Sequence, residues 1–247
     1  MTVIEKKNIV RIGTAGWSVP SNMRAQFPSV GTLLQKYSTR FNAVEINSSF
    51  YRPHRVSTYE KWASQTSDNF SFSVKLPRAM THDAKLVDIG QQLEVFIHEV
   101  SGLGPKLGCL LIQLPPSLQF SSSKYRETFT YLREAFTCSV VCEPRHPSWF
   151  TDEADAALSE AGIARVAASP SILPNSLKPG GDMQTCYYRL HGEPKMYYSN
   201  YTEHYLSAYS ASIKHQKQNS NVWCIFDNTA NGYAFSNATD LNHLIDN

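Results

Sequence analysis

The sequence predicts an α/β fold, a single (β/α)8 TIM-type barrel of parallel strands spanning residues 1–247 as one domain, and three observations predict it. Eight short apolar runs alternate with segments of helical spacing along 247 residues. In several runs the apolar side chains occupy one parity and the polar or charged ones the other. The polar groups collect at the carboxyl ends of the runs, where barrels of this kind place their chemistry.

The candidate strands are residues 10–15, 43–48, 70–76, 109–114, 139–143, 163–168, 186–191 and 222–227, each rich in aliphatic or aromatic residues and bounded by Gly, Pro, Ser or Asn. In the second run Val44 and Ile46 would face covering helices while Glu45 and Asn47 face inward. Phe72, Val74 and Leu76 alternate in the same way with Ser73 and Lys75. Val140 and Cys142 alternate with Val141, Glu143 and Arg145, and Tyr188 and Leu190 with Arg189 and His191.

Between the runs, Leu86, Ile89, Leu93, Phe96, Ile97 and Val100 carry helical spacing. Ser57 with Glu60 reads as a capping box opening the helix that carries Trp62. Thr151 followed by Asp152 and Glu153 starts another helix, and Tyr205, Leu206, Tyr209 and Ile213 mark one more. Residues 170–185, with Pro174, Pro179, Gly180 and Gly181, read as loop, so the connection from the sixth to the seventh strand lacks a regular helix.

Composition narrows the function classes. Hydrophobic residues at 42% and charged residues at 18% describe an ordinary globule rather than a disordered chain. A net charge of +2, from 23 basic and 21 acidic residues, argues against strong sequence-independent nucleic-acid binding. The opening MTVIEKKNIVRIG has no apolar stretch of signal-peptide length, and no run is long enough to span a membrane, so a cytoplasmic protein without a membrane partner is expected. Cys109, Cys138, Cys142, Cys186 and Cys224 form no Cys-x-x-Cys pair, and four of them sit inside apolar runs, which favours buried reduced thiols.

The chemistry concentrates at strand ends. Glu45, Lys75, Gln113, Glu143, Arg145, Arg189, His191 and Asp227 close or follow apolar runs, a costly place for charge unless it is paired or solvated. Glu143 and His191 are the candidate acid and base, with Glu45 and Asp227 orienting them. Lys75, Arg145 and Arg189 suit a phosphate or carboxylate. His82, His146, Tyr51, Gln113, Asn228 and Tyr201 are candidate substrate contacts, and Gly192 would leave room for a ligand beside His191. Trp17 and Trp149 are expected to pack against following helices. The bland alternative is that the three acids simply neutralise the three cations in an internal network.

The expected substrate is therefore a small polar, anionic or sugar-like molecule, in a hydrolase-, isomerase- or lyase-type reaction. A nucleic-acid-binding or processing barrel, with tyrosines stacking bases, is the alternative, and a non-catalytic ligand-binding protein is a further one. No cofactor is expected. Glu45, Glu143, His191 and Asp227 are acceptable ligands for a divalent ion, but three cations share their ring and no His-Glu-x-x-His motif is present, which makes a metal the lesser reading.

Several of these segments carry a family resemblance. Gly13-Thr14-Ala15-Gly16-Trp17, Val44-Glu45-Ile46-Asn47-Ser48-Ser49-Phe50-Tyr51, Thr81-His82, Gln113-Leu114-Pro115-Pro116, Glu143-Pro144-Arg145-His146-Pro147-Ser148-Trp149, Arg189-Leu190-His191-Gly192 and Phe226-Asp227-Asn228-Thr229 resemble, in order, the YecE-like family of domains of unknown function. The resemblance implies a TIM-type barrel and supplies no reaction. Two positions depart from the family pattern. Ala168-Ser169-Pro170 stands where the family usually has an aspartate before the proline, and Val19 follows Ser18 where a tyrosine is common.

Overall fold

A computed structural model describes residues 8–246; residues 1–7, which carry most of the opening stretch read above for a leader, lie outside the described residues. Val-, Ile- and aromatic-rich runs become strands, and the amphipathic segments between them become helices. In chain order these are β1 (Val10–Thr14), α1 (Leu33–Tyr37), β2 (Ala43–Ile46), α2 (Val56–Ser64), β3 (Ser71–Lys75), α3 (Gly90–Val100), β4 (Leu107–Gln113) and α4 (Ser122–Ala135). There follow β5 (Ser139–Glu143), α5 (Asp152–Glu160), β6 (Ile163–Arg165), β7 (Ala167–Ser169), β8 (Gly180–Gly181), β9 (Thr185–Leu190), α6 (Glu203–Gln216), β10 (Asn221–Phe226) and α7 (Tyr233–Asp246).

The strands form two sheets rather than the one continuous ladder expected. One has the order β1-β10-β9-β7, the other β2-β3-β4-β5-β6-β8, and all pairs are parallel except the short β6–β8 contact. The expected sixth strand is divided at Val166. Its first part pairs with β5 and its second with β9, so the same stretch serves both sheets. The connection from β7 to β9 holds a 3-10 turn, Pro174–Leu177, and the two residues of β8 but no α-helix, as its Pro and Gly content predicts.

The other seam, between β1 and β2, is held largely by side chains. Only Ala15 and Glu45 form a backbone bridge, with the Gly16 N–H donating to the Glu45 carbonyl at 2.8 Å. Below it, the Thr14 N–H donates to the Tyr37 hydroxyl at 2.8 Å, and that hydroxyl donates to the Ala43 carbonyl at 3.0 Å. The Asn42 amide accepts from the Ile12 N–H and donates to the Val10 carbonyl. Each side chain thus stands in for a missing rung, which buried backbone groups require. Gly13 is needed here because a Cβ would lie 2.1 Å from the Ala43 oxygen.

Strand parity sorts the core into two clusters. Val44, Ile46, Phe72, Val74, Val140, Cys142, Tyr188 and Leu190 pack outward with helical residues such as Leu93, Phe96, Leu132 and Leu241. Ala43, Cys109, Leu111, Val141, Ala164, Val166, Tyr187, Trp223 and Ile225 fill the space on the inner face. All five cysteines are free, and the four inside apolar runs are buried. No helix among the described residues is long and apolar enough to cross a membrane.

Two local expectations change. The helix expected from Leu86 begins only at Gly90, because Lys85, Leu86 and Asp88 adopt positive φ; Leu86 and Ile89 are nonetheless buried, so their spacing reports the burial of a turn. Ser57 lies inside α2, whose N-cap is Arg55, and forms no capping box. The box is at α1 instead, where Thr32 accepts from the Gln35 N–H and the Gln35 side chain accepts from the Thr32 N–H.

The seam generates a prediction. Tyr37→Phe keeps the ring and leaves the Thr14 N–H and Ala43 carbonyl unpaired, at about 1–3 kcal/mol for each buried group left unmade. Urea denaturation should show a loss of roughly 2–6 kcal/mol with the m-value retained, and a loss near zero would mean that the hydroxyl does not bridge the seam.

Candidate functional site

Parity and register bring the inward residues of five strands together at one end. Glu45 extends from β2, Lys75 from β3, Glu143 from β5 and Arg189 from β9, with Arg145, His191 and Asp227 just beyond β5, β9 and β10. Placing so many charges in one core is feasible only if they neutralise one another.

Arg189 does most of that neutralising. Its Nε and Nη2 donate to the two Glu45 carboxylate oxygens at 3.0 and 2.7 Å, a bidentate pairing. Its Nη1 donates to Glu143 Oε2 and its Nη2 also to Asp227 Oδ2 at 3.1 Å. Glu45 further accepts from the Tyr187 hydroxyl at 2.8 Å, which lies 2.9 Å from Ser73 Oγ. Arg189, Glu45, Glu143 and His191 are fully buried.

His191 sits between two carboxylates. Its Nδ1 lies 3.1 Å from Asp227 Oδ2, and its Nε2 lies 2.9 Å from Glu143 Oε1 and 2.7 Å from Arg145 Nη2. Arg145 also pairs with Glu143. The ring is thus held by both nitrogens, Nδ1 by Asp227 and Nε2 by Glu143 and Arg145. Burial alone would raise the Glu143 carboxyl, but Arg145, Arg189 and His191 outweigh it and hold the group well below the usual carboxylate range. Asp227 follows the same pattern: burial raises it, and Arg189 and the His191 contacts bring it down.

Lys75 is different. It is 7% exposed, and its Nζ sits 4.0 Å from the centre of the Phe50 ring with no hydrogen-bond or ion-pair partner among the described residues. Burial first, and then repulsion from Arg189, push its ammonium down to about 8, against the pull of Glu45, Glu143 and Asp227. The neighbouring His82 is lowered by burial and by Lys75, and its ring stands edge-on to Phe50.

The other expected contacts divide. Tyr51 is exposed at the rim against Phe50, and Gln113 is half-buried at the end of β4, opposite Glu143 in register. His146 accepts from the Ser148 N–H and caps a turn instead of joining the charged group. Tyr201 is buried, its hydroxyl accepting from the Gly192 N–H at 2.9 Å and bonding Ser169 Oγ at 3.0 Å, so it braces the chain after β9. Asn228 is buried too and donates to the Ser199 carbonyl and Asn237 Oδ1. Arg189, expected to bind an anion, is instead consumed by the three acids.

The space that Gly192 was expected to leave for a ligand is taken by this chain: a Cβ there would meet the Ser199 oxygen at 3.0 Å and Asn228 Cβ at 3.1 Å. Trp17 and Trp149 pack as aromatic anchors, but not on the helices that follow them: Trp17 stands edge-on to Trp62 of α2, and Trp149 is fully buried against Tyr125 and Phe129 of α4, its indole N–H donating to the Leu118 carbonyl. A divalent ion would need the oxygens that face Arg189 and Arg145, whose guanidinium groups occupy the space between the acids.

Sequence reasoning did not single out Tyr197 as a site residue. Its ring stands edge-on to His191 at 5.9 Å, its N–H donates to the His191 carbonyl, and its φ of +69° holds it there. Burial and the nearby Asp227 raise its phenol. The signal available was only its membership of the tyrosine cluster after β9. A non-glycine residue at positive φ over a buried histidine is a structural fact that no pattern announces.

Comparison with known proteins gives a consistent set of relatives. The family model described as protein of unknown function DUF72 matches residues 11–247. The chain is 30% identical over 145 residues to UPF0759 protein YecE of Escherichia coli (strain K12), covering 58% of this chain and 50% of that protein. It therefore spans about half the length of that relative. UPF0759 protein YunF of Bacillus subtilis (strain 168) is 27% identical with 96% of this chain and 95% of that one covered. Among solved structures, a DUF72 family protein from Enterococcus faecalis V583 superposes with a TM-score of 0.80 at 16% identity, covering 97% and 96% of the two chains. One from Thermotoga maritima MSB8 gives 0.79 at 24%, covering 97% and 100%. These two show a shared fold.

Two predictions follow from the charge balance. Arg189→Met strands three buried carboxylates and should cost about 3–5 kcal/mol in urea denaturation at pH 7. Because Glu143 and Asp227 are depressed in the folded state, their contribution is present above the ordinary carboxylate range and is lost as pH falls below it towards their lower folded values. The deficit of the variant should therefore narrow below about pH 4, and a pH-independent deficit would point to lost packing alone. Lys75→Met should act in the opposite direction. The folded-state value lies below the unfolded one, so native stability rises from pH 8 towards 10.5, and the variant should be more stable than the native protein by up to about 3 kcal/mol below pH 8. A destabilised variant at pH 7 would show that the ammonium is net favourable.

Proposed function

This chain belongs to the family described as protein of unknown function DUF72, and on that premise we propose that it is an enzyme performing general acid/base chemistry on a small polar, anionic or sugar-like molecule at the carboxyl ends of the strands. The observation that carries this reading is His191 held between Asp227 and Glu143, within a cluster that reaches the surface only slightly, through Lys75, Arg145 and Asp227. Asp227 orients the imidazole. Nε2 is the proton-exchanging atom; Glu143, kept ionised by Arg145 and Arg189, stabilises the imidazolium when it forms, and Arg145 touches both. Arg189 and Glu45 lie behind them as fixed charge, with nothing left to offer a ligand. Positive charge for a substrate anion comes from Arg145, whose Nε is buried with no hydrogen-bond partner among the described residues. Access to the imidazole runs past Tyr197.

The architecture proposed for this chemistry is one eight-stranded (β/α)8 barrel forming a single domain. Support for closure lies in the two seams, the Ala15–Glu45 bridge and the shared stretch around Val166. The nucleic-acid reading draws on the exposed Tyr51, Tyr197 and Tyr198, and it requires binding that weakens steeply with salt.

The test is a thermal-shift panel of sugar phosphates, hydroxycarboxylates, free sugars and short oligonucleotides, run on the native protein and on Arg145→Ala. A ligand at one hundred times its dissociation constant stabilises by about 2.7 kcal/mol, a shift of roughly 5–10 °C. The expected result is a shift with an anionic sugar or acid that Arg145→Ala removes. For the compound so found, Glu143→Gln should lower turnover by about 10²–10⁴-fold with the fold intact. Unchanged turnover in Glu143→Gln, or a shift confined to oligonucleotides, would overturn the acid/base reading.

A further inference from the structure

Lys75 is the one member of the cluster whose state pairing does not explain. Three carboxylates lie near enough to influence its charge, yet all three are turned towards Arg189. A buried lysine held for structure alone is ordinarily paired with an acid. This one instead has an aromatic face 4.0 Å away and a guanidinium as its strongest charged neighbour. Those are the two environments that turn a lysine amine into a nucleophile, an apolar wall and an adjacent cation.

The surroundings carry further unfilled demand. Just past β2, at the start of the turn that carries Phe50, Asn47 has its Oδ1 buried with no hydrogen-bond partner among the described residues. An acceptor in that condition calls for a donor such as a substrate hydroxyl. Arg145 Nε, across the cluster, is a donor in the same condition.

We propose that Lys75 Nζ is a catalytic amine that condenses with the carbonyl carbon of a hydroxylated, anionic aldehyde or ketone to form an imine. This rests on, and deepens, the acid/base reading of the same site. The neutral amine's lone pair forms the N–C bond, the carbonyl π pair moves to oxygen, and oxygen takes the proton that nitrogen releases. A second proton then lets that oxygen leave as water while the nitrogen lone pair closes the C=N bond, leaving a protonated imine. The positive nitrogen so formed is drawn by Glu45, Glu143 and Asp227, against the same burial and Arg189 repulsion that keep the free amine partly neutral. With its ammonium pushed down to about 8, a substantial fraction of Lys75 is neutral near pH 7.5, where an ordinary lysine is almost wholly charged.

Cyanoborohydride trapping tests this, because it reduces an imine to a stable secondary amine that peptide mass mapping locates. With limiting formaldehyde at pH 7.5, Lys75 should be labelled roughly tenfold faster than the exposed lysines, the gain in neutral fraction being partly offset by weaker nucleophilicity. With glyceraldehyde 3-phosphate, the native protein should gain a single adduct at Lys75, faster than with unphosphorylated glyceraldehyde, and Lys75→Arg should gain none there. Labelling of Lys75 no faster than that of surface lysines, or equal rates with and without the phosphate, would overturn the proposal. Glu143→Gln separates the two readings. If its turnover falls while Lys75 resists trapping, the imine role alone fails. If Lys75 traps selectively while turnover is unaffected, the amine role stands and the Glu143 role fails.

Discussion

The Arg189 guanidinium is the interaction on which the rest of this end of the molecule depends. It reaches Glu45, Glu143 and Asp227, which arise on three different strands, and satisfies them from one fully buried position. A planar group with five donors can do this where an ammonium cannot, because its donors point in fixed and separate directions. Remove that charge and three acids would be left in a low-dielectric interior, a state proteins avoid by protonation or unfolding. Arg189 and Glu45 pair with each other in the buried core, as the bland explanation of the charged ring expects of them.

That assignment sharpens what remains. With Arg189 occupied, His191 is clamped by hydrogen bonds from both sides, and Arg145 is shared between Glu143 and the imidazole. Lys75 is left over, balanced in charge by the cluster and paired with none of it. Its ammonium rests on the Phe50 ring instead. The same logic separates Tyr197, which covers His191, from Tyr201, which is spent on backbone bracing a few residues away.

Much of this was legible in the chain and some was not. Period-two alternation placed Glu45, Lys75, Glu143, Arg189 and His191 on inward faces, and in the structure they converge there on one another. Pro- and Gly-rich composition marked the helix-free connection before β9. Local rules failed where a long-range contact overrode them. The spacing of Leu86 and Ile89 imitates a helix because both are buried, although the backbone between them is left-handed at Leu86 and Asp88. Tyr37 and Asn42 carry no mark of their role, since a hydroxyl that replaces a sheet rung depends on how α1 seats against β1 and β2.

The amino-acid order by itself determined which side chains would point inward and that they would gather at the carboxyl ends of the strands, because side-chain direction in a strand is a local, geometric property. It determined the cysteine state in the same way, by burying four of them in apolar runs. Only the tertiary structure decided the pairing. Arg189 and Glu45 are 144 residues apart, and Tyr187 and Glu45 are 142, so which carboxylate meets which donor depends on how the two sheets are brought together. Electrostatic pairing is set by distances of a few ångströms, and no periodicity along the chain encodes a distance across it.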